Sequence, residues 1–243
     1  MIKGIYQSAS AMIPRVRQQE VIANNLANAS APGFKRDQVF TKELTQAQVR
    51  QNNTKSDWQT PMIDQVYTDY DQGQFNKTDN PLDLALEGYG FFVVEGDDGS
   101  QLLTRAGNFI VSPEGFLVNP EGHRVMSEAG PITVEGTTID ISESGQVSVD
   151  GIESGSIRVA QIDDPTILDK AGNNEYRIPE GIELSAAVDF TIRQGYLESS
   201  NVDIIREMVD MIVSFRNYES DAQSLKSQDD SLEKLIRNVG SIR

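Results

Sequence analysis

The residues able to do chemistry are few and scattered. There is one histidine, His123, and its place in the turn-strand junction PEGHRV predicts a solvated surface side chain. No cysteine is present, which excludes a disulfide framework, a thiolate metal site and a cysteine nucleophile. TDYDQGQF (68–75) places Asp69 and Asp71 as a calcium loop would. Its Gly73 falls one position early, however, and position twelve is Asn80 rather than glutamate. Asp97-Asp98 and Asp163-Asp164 are turn residues first, and nothing sets two carboxylates across a cleft for acid–base work. No GxSxG, HExxH, Walker A or helix-opening GxGxxG occurs. The reading is no catalytic residue, no cofactor and no metal, with an acidic calcium-dependent β-rich binding module or enzyme as the alternative.

Charge narrows the partners. The formal net charge of the 243 residues is -16. Residues 1–36 carry five bases and one acid, and residues 203–243 six bases and eight acids, so the negative charge is concentrated in 37–202. Nucleic acid and anionic lipid need clustered Lys and Arg, so neither is expected as a partner. No run approaches the roughly 18 apolar residues of a membrane helix, so no membrane insertion is expected. The N-terminus lacks the apolar core of a cleaved signal peptide.

The elements that must position any functional surface are of two kinds. Ile2, Ile5, Ala9, Met12, Val16, Ala23 and Leu26 recur at steps of three and four with one polar interruption at Gln19, the narrow stripe of a coiled-coil-like helix. Pro14 removes a hydrogen bond at a cost of about 3 kcal/mol, which predicts a kink near 10–14 or a helix firm only beyond Pro14. Pro32-Gly33 stops it. At the other end, Ser200-Asn201-Val202-Asp203 reads as a capping box. Ile205, Val209, Ile212, Ala222, Leu225, Leu232, Ile236 and Val239 then form a second stripe, on a helix about 55 Å long. A helix so long and narrowly striped needs a partner, either the N-terminal helix or other subunits.

Between them, Leu82–Val149 is built of short apolar runs separated by turns: FFVVE, GDDGS, QLLTR, then two PEG turns at 113–115 and 120–122. Asp98-Gly99 is a hairpin signal, and each PEG glycine can supply a positive φ. The expected fold class is α+β: N- and C-terminal helices pairing as a coiled-coil-like stem around a central, mostly antiparallel β domain of small sheets, a barrel or sandwich. The expected boundaries are 1–36 and 203–243 for the stem, 37–80 and 185–202 for extended connectors, and 81–184 for the outer β-rich domain.

Three stretches carry a resemblance. ANNLANASAPGFKRD (23–37) resembles the signature of the bacterial flagellar rod and hook protein family. NPLDLALEGYGFFVVEGDDGSQLLTRAGNFIVSPEGFLVNPEGHRV resembles that family's β core, and GYLESSNVDIIREMVDMIVSFRNYESDAQSLKSQDDSLEKL its C-terminal motif. The resemblance implies terminal helices forming the inner layer of a hollow helical tube, with the acidic β domain outward. It implies signal-less type III export, assembly in the periplasm, and free monomers with unfolded ends. Expected partners are further copies, other flagellar axial proteins and the export apparatus. It points to rod rather than hook, to the proximal rod type first and the distal next.

The expected assembly interface comprises Asn24, Asn25, Leu26, Asn28, Gly33, Phe34, Ile205, Met208, Val209, Ile212, Leu225 and Leu232. The asparagine amides both donate and accept. Ala23, Ala27 and Ala29 allow close helix approach, and Met208 fills irregular gaps.

Overall fold

A computed structural model describes residues 2–44, 60–179, 181–182 and 184–240. The polar run 48–59 lies outside the described residues, as do the side chains of Ile2, Ile5 and Val239. The chain forms two compact units. One takes Met1–Ala27, Asp37–Asp69 and Val202–Arg243; the other takes Asn28–Arg36 and Tyr70–Asn201.

In the first unit, helix α1 (Ile2–Ala27) runs on both sides of Pro14, which is itself buried. Of the two alternatives posed by that proline, a helix firm only beyond it is not the one adopted. Burying an apolar side chain such as Val21 or Ile22 is worth about 1.5–3 kcal/mol each, enough to offset the hydrogen bond that the proline removes. Helix α2 (Ile204–Gly240) packs against α1. Its cap corrects the expected box. Asp203 is the cap residue, its Oδ1 accepting from the amides of Ile205 at 3.0 Å and Arg206 at 3.2 Å. An acid there faces the positive end of the helix dipole, which Ser200 lies too far upstream to do. Strands β1 (Asp37–Leu44) and β2 (Thr60–Thr68) complete this unit as an antiparallel pair against α1.

The second unit holds β3 (Phe75–Lys77), β4 (Leu84–Gly88), β5 (Phe91–Glu95), β6 (Gln101–Thr104) and the later strands, with every pairing antiparallel. Its largest sheet has nine strands, flanked by smaller ones, so the expectation of small sheets alone is corrected. The FFVV run explains this. A strand apolar on both faces must be covered on both. Phe92 and Val94 enter one core with Leu84, Leu86, Phe109 and Leu117, while Phe91 and Val93 enter another with Leu103, Leu168 and Tyr176. Asp98-Gly99 makes the β5–β6 hairpin, the Gly96 amide donating to Ser100 O at 2.9 Å. Both PEG turns form, with φ of 83° at Gly115 and 96° at Gly122. The unit closes through its ends: β4 pairs with Phe190–Gln194, and β3 with Tyr196–Glu198. Residues 28–36 and 70–201 carry 23 acids against nine bases, most of the molecule's negative charge.

Candidate assembly face

The asparagine-rich stretch at the end of α1 divides between two roles. Asn25 is only 1% exposed. Its Oδ1 accepts from the Asp37 amide at 2.9 Å, and its Nδ2 donates to Asp37 O at 2.8 Å and to Glu207 Oε2 at 3.4 Å. One side chain thus holds the end of α1, the start of β1 and the first turn of α2. Its amide bonds inside the chain, where the sequence reading placed it on a neighbouring subunit. Asn24, Ala23 and Ala27 are exposed, and Leu26, Asn28 and Ala29 are half-buried.

Gly33, Phe34 and Lys35 are buried in the β-rich unit. Gly33 has φ 66° and donates its amide to Glu198 O at 2.8 Å. A Cβ there would collide with the backbone of Arg105 and Ala106. The Phe34 ring lies 5.0 Å from the Lys170 ammonium. Beside it, Lys35 Nζ donates to Glu198 Oε1 at 2.6 Å and to Asp71 O at 2.8 Å. Arg105 approaches the other carboxylate oxygen at 3.3 Å and also bonds Leu86 O and Gly88 O. Burial holds the Arg105 guanidinium below its ordinary value, against the opposing pull of Glu198. Sequence reasoning missed Lys35, Arg105 and Glu198, as it missed Asp37 and Glu207.

The second helix presents its faces in an unexpected order. Among the positions covered or half-covered within the chain, one row steps by fours and threes: Glu207, Met211, Ser214, Tyr218, Asp221, Leu225, Gln228 and Leu232, with Asp210, Asn217 and Ala222 half-covered beside it. That is a heptad seam, yet half of it is polar. Four side-chain atoms among the described residues are buried with no hydrogen-bond partner: Gln19 Nε2, Ser214 Oγ and Gln228 Oε1 on the helices, and Arg105 Nε in the β-rich unit. Meanwhile Ile204, Ile205, Met208, Val209, Ile212, Val213 and Phe215 face solvent, with Ile205 77% and Ile212 54% exposed. The stripe predicted as one row therefore splits. Leu225 and Leu232 lie in the covered seam; Ile205, Met208, Val209 and Ile212 lie on the open face.

The residues weighed for catalysis have structural duties. His123 is not the solvated side chain expected. Its Nδ1 lies 2.6 Å from Glu175 Oε1, which also accepts from Asn119 Nδ2 at 2.7 Å. The histidine amide in turn donates to Asn119 Oδ1, so the ring is fixed at the second PEG turn. Asp69 accepts from Gln38, and the backbone carbonyl of Asp71 from Lys35 and Asn201. Asp98 and Asp164 each cap their own turn, through Ser100 and Thr166. No group of three or more metal-capable side chains occurs among the described residues.

Comparison with known proteins identifies the family. Residues 5–35 match a family described as flagella basal body rod protein. Residues 85–149 match the flagellar hook protein FlgE/F/G D1 domain, and 193–238 the flagellar basal body rod FlgEFG protein C-terminal region. The chain is 30% identical to the flagellar basal-body rod protein FlgF of Caulobacter vibrioides, with all of both chains covered. It is 33% identical to FlgF of Escherichia coli over 95% of this chain and 96% of that one. It is 30% identical to FlgG of Buchnera aphidicola from Acyrthosiphon pisum over 97% and 99%. With matches at both ends and in the β core, in the order in which the structure uses them, the chain belongs to the flagellar basal-body rod protein family.

Proposed function

We propose that this chain is a structural subunit of the proximal part of the flagellar rod. It polymerises with its own copies and with neighbouring axial proteins into a hollow shaft that transmits torque and conducts exported subunits. It is not an enzyme. The observation that carries the reading is the reversed second helix: a polar seam is covered inside the chain while the most apolar face is left in water. Exposed apolar area of that extent marks a surface that a partner covers. Within it, Ile205, Met208, Val209 and Ile212 make the contacts between subunits. Asn24, Leu26 and Asn28 flank them at the end of α1. Asn25 acts from inside the chain by fixing the end of α1 to β1 and α2, Gly33 and Phe34 by anchoring the following segment in the β-rich unit, and Leu225 and Leu232 by holding the two helices together.

No helix among the described residues is long and apolar enough to cross a membrane, and the proposed route is signal-less type III export followed by assembly in the periplasm. Assignment to the proximal rod rests on the NASAPGF form of the turn after α1. The test is deletion of the gene in its host, followed by mass spectrometry of the stalled basal bodies. The expected result is loss of swimming, with the rod subunits beyond this one missing as well. Stalled particles that retain every other rod subunit would place the chain at the distal end. Normal swimming with complete rods would remove the reading altogether.

A further inference from the structure

We propose that the buried ion triad of Lys35, Glu198 and Arg105 is a clasp. It fastens together the points where the chain leaves the β-rich unit, and it stays closed whether or not the helices are folded. The unit's chain segments end at Asn28, Arg36, Tyr70 and Asn201. The last three are tied to one another within a few residues, and Gly33 joins them from the segment that begins at Asn28. Lys35 Nζ bridges Glu198 Oε1 and Asp71 O. The Gly33 amide donates to Glu198 O, and the Gly73 amide to Glu198 Oε1 at 2.9 Å. The Arg36 amide donates to Asn201 Oδ1 at 2.8 Å, and Asn201 Nδ2 donates to Asp71 O at 3.1 Å. Arg105 connects the same carboxylate to the core, bonding Leu86 O and Gly88 O on β4. The Glu198 side chain is fully buried, and that of Lys35 is 1% exposed.

A carboxylate and two cations withdrawn from water are costly to uncouple, because removing one leaves another charge buried without its partner. Every group named in this network belongs to the β-rich unit, so the bonds that close it are made within that unit. Residues 32–36 therefore hold to the unit that follows them in space, although they continue the chain of the helix that precedes them.

The experiment is hydrogen exchange on the full-length chain at low concentration, read at the amides of Gly33, Arg36, Gly73 and Ser199. The amides of Val93 and Leu103 report on the core, and those of residues 18–26 on α1. In the wild type the four junction amides are expected to exchange on the timescale of the core and far more slowly than α1. Lys35→Met should accelerate them roughly 100-fold or more while leaving Val93 and Leu103 unchanged. Asn201→Ala keeps the triad and removes two single hydrogen bonds, so it should accelerate Arg36 alone, about 10-fold. Junction amides exchanging with α1 in the wild type would overturn the proposal. So would a Lys35→Met chain with unchanged junction amides, or one in which junction and core fail together while Asn201→Ala does nothing.

Discussion

Replacing Ile212 by aspartate tests the open face of α2 at its centre. Seven side chains there, Ile204, Ile205, Met208, Val209, Ile212, Val213 and Phe215, are exposed by about half on average. Full burial of such a side chain contributes about 1.5–3 kcal/mol, so half of one contributes about 1 kcal/mol and the row roughly 5–10 kcal/mol. Association itself costs about 4–15 kcal/mol in lost freedom, so this face is decisive without being in excess. Aspartate removes its share of about 1 kcal/mol and adds a carboxylate whose burial costs several more. A total near 4 kcal/mol weakens each docking step about a thousand-fold. Polymerisation of the purified protein can be followed by sedimentation, and function by swimming of a deletion strain carrying the variant. The melting of the β-rich unit serves as the internal control and should not move, since Ile212 belongs to the other unit. Ile212→Val, which loses one methylene, should polymerise nearly as the parent does. An Ile212→Asp chain that polymerises and swims normally would refute the argument that this face is covered in the rod.

Other substitutions separate the remaining roles. Asn25→Ala removes both bonds to Asp37 and should destabilise the helical unit by about 1–3 kcal/mol, seen as weaker assembly. Asn25→Asp should be worse at neutral pH, because it sets a second carboxylate against Glu207, and should approach the alanine variant in acid; equal behaviour at all pH would show that Glu207 does not feel residue 25. Gly33→Ala should cost more in denaturant unfolding than Gly99→Ala. Both need a positive φ, but only Gly33 meets backbone where the methyl would go, and equal losses would contradict that packing. Hydrogen bonds hold three aspartates below the ordinary carboxyl value of 3.8: Asp98 chiefly through the Ser100 hydroxyl, Asp150 through the amides of Thr138 and then Thr137, and Asp164 through the Thr166 hydroxyl. Their folded values are depressed, so the stability they contribute is present above 3.8 and is lost as pH falls through those lower values. The β-rich unit should melt at a constant temperature near neutrality and earlier in acid. Asp150→Asn should show a shallower decline, and an unchanged slope would remove Asp150 from the account.

Local chemistry was the legible part of the sequence. Periodicity located both helices, and the Asp-Gly and PEG pairs fixed their turns, because a turn needs only the conformations of its own few residues. The cap of α2 was misplaced by three residues since two polar side chains, Ser200 and Asp203, both suit that role. What stayed hidden was long-range. Lys35 and Glu198 stand 163 positions apart, and a lone lysine after Gly33-Phe34 looks like any solvated charge until its partner is known. Likewise the apolar positions of α2 could be counted but not divided. Which of them meet α1 depends on helix rotation, and Asn25 and Glu207 set that through a contact between residues 182 positions apart. His123 was misread for the same reason, its partner Glu175 being 52 residues away.

The way the β-rich unit closes also sets a clock. Gly73 bonds Glu198 across 125 positions, and the strand ladders of β3 and β4 form only with the strands at 190–198. On a ribosome adding about 5–20 residues per second, those strands emerge only after some ten to forty seconds. Until then β3 and β4 lack their ladders, for loop closure must precede any reward from the distant pairing. On the export route proposed above, a chain threaded through a narrow conduit would gain a delay from this topology. Closure of the β-rich unit waits for about the last fifth of the chain, whereas its inner hairpins need only their own neighbours.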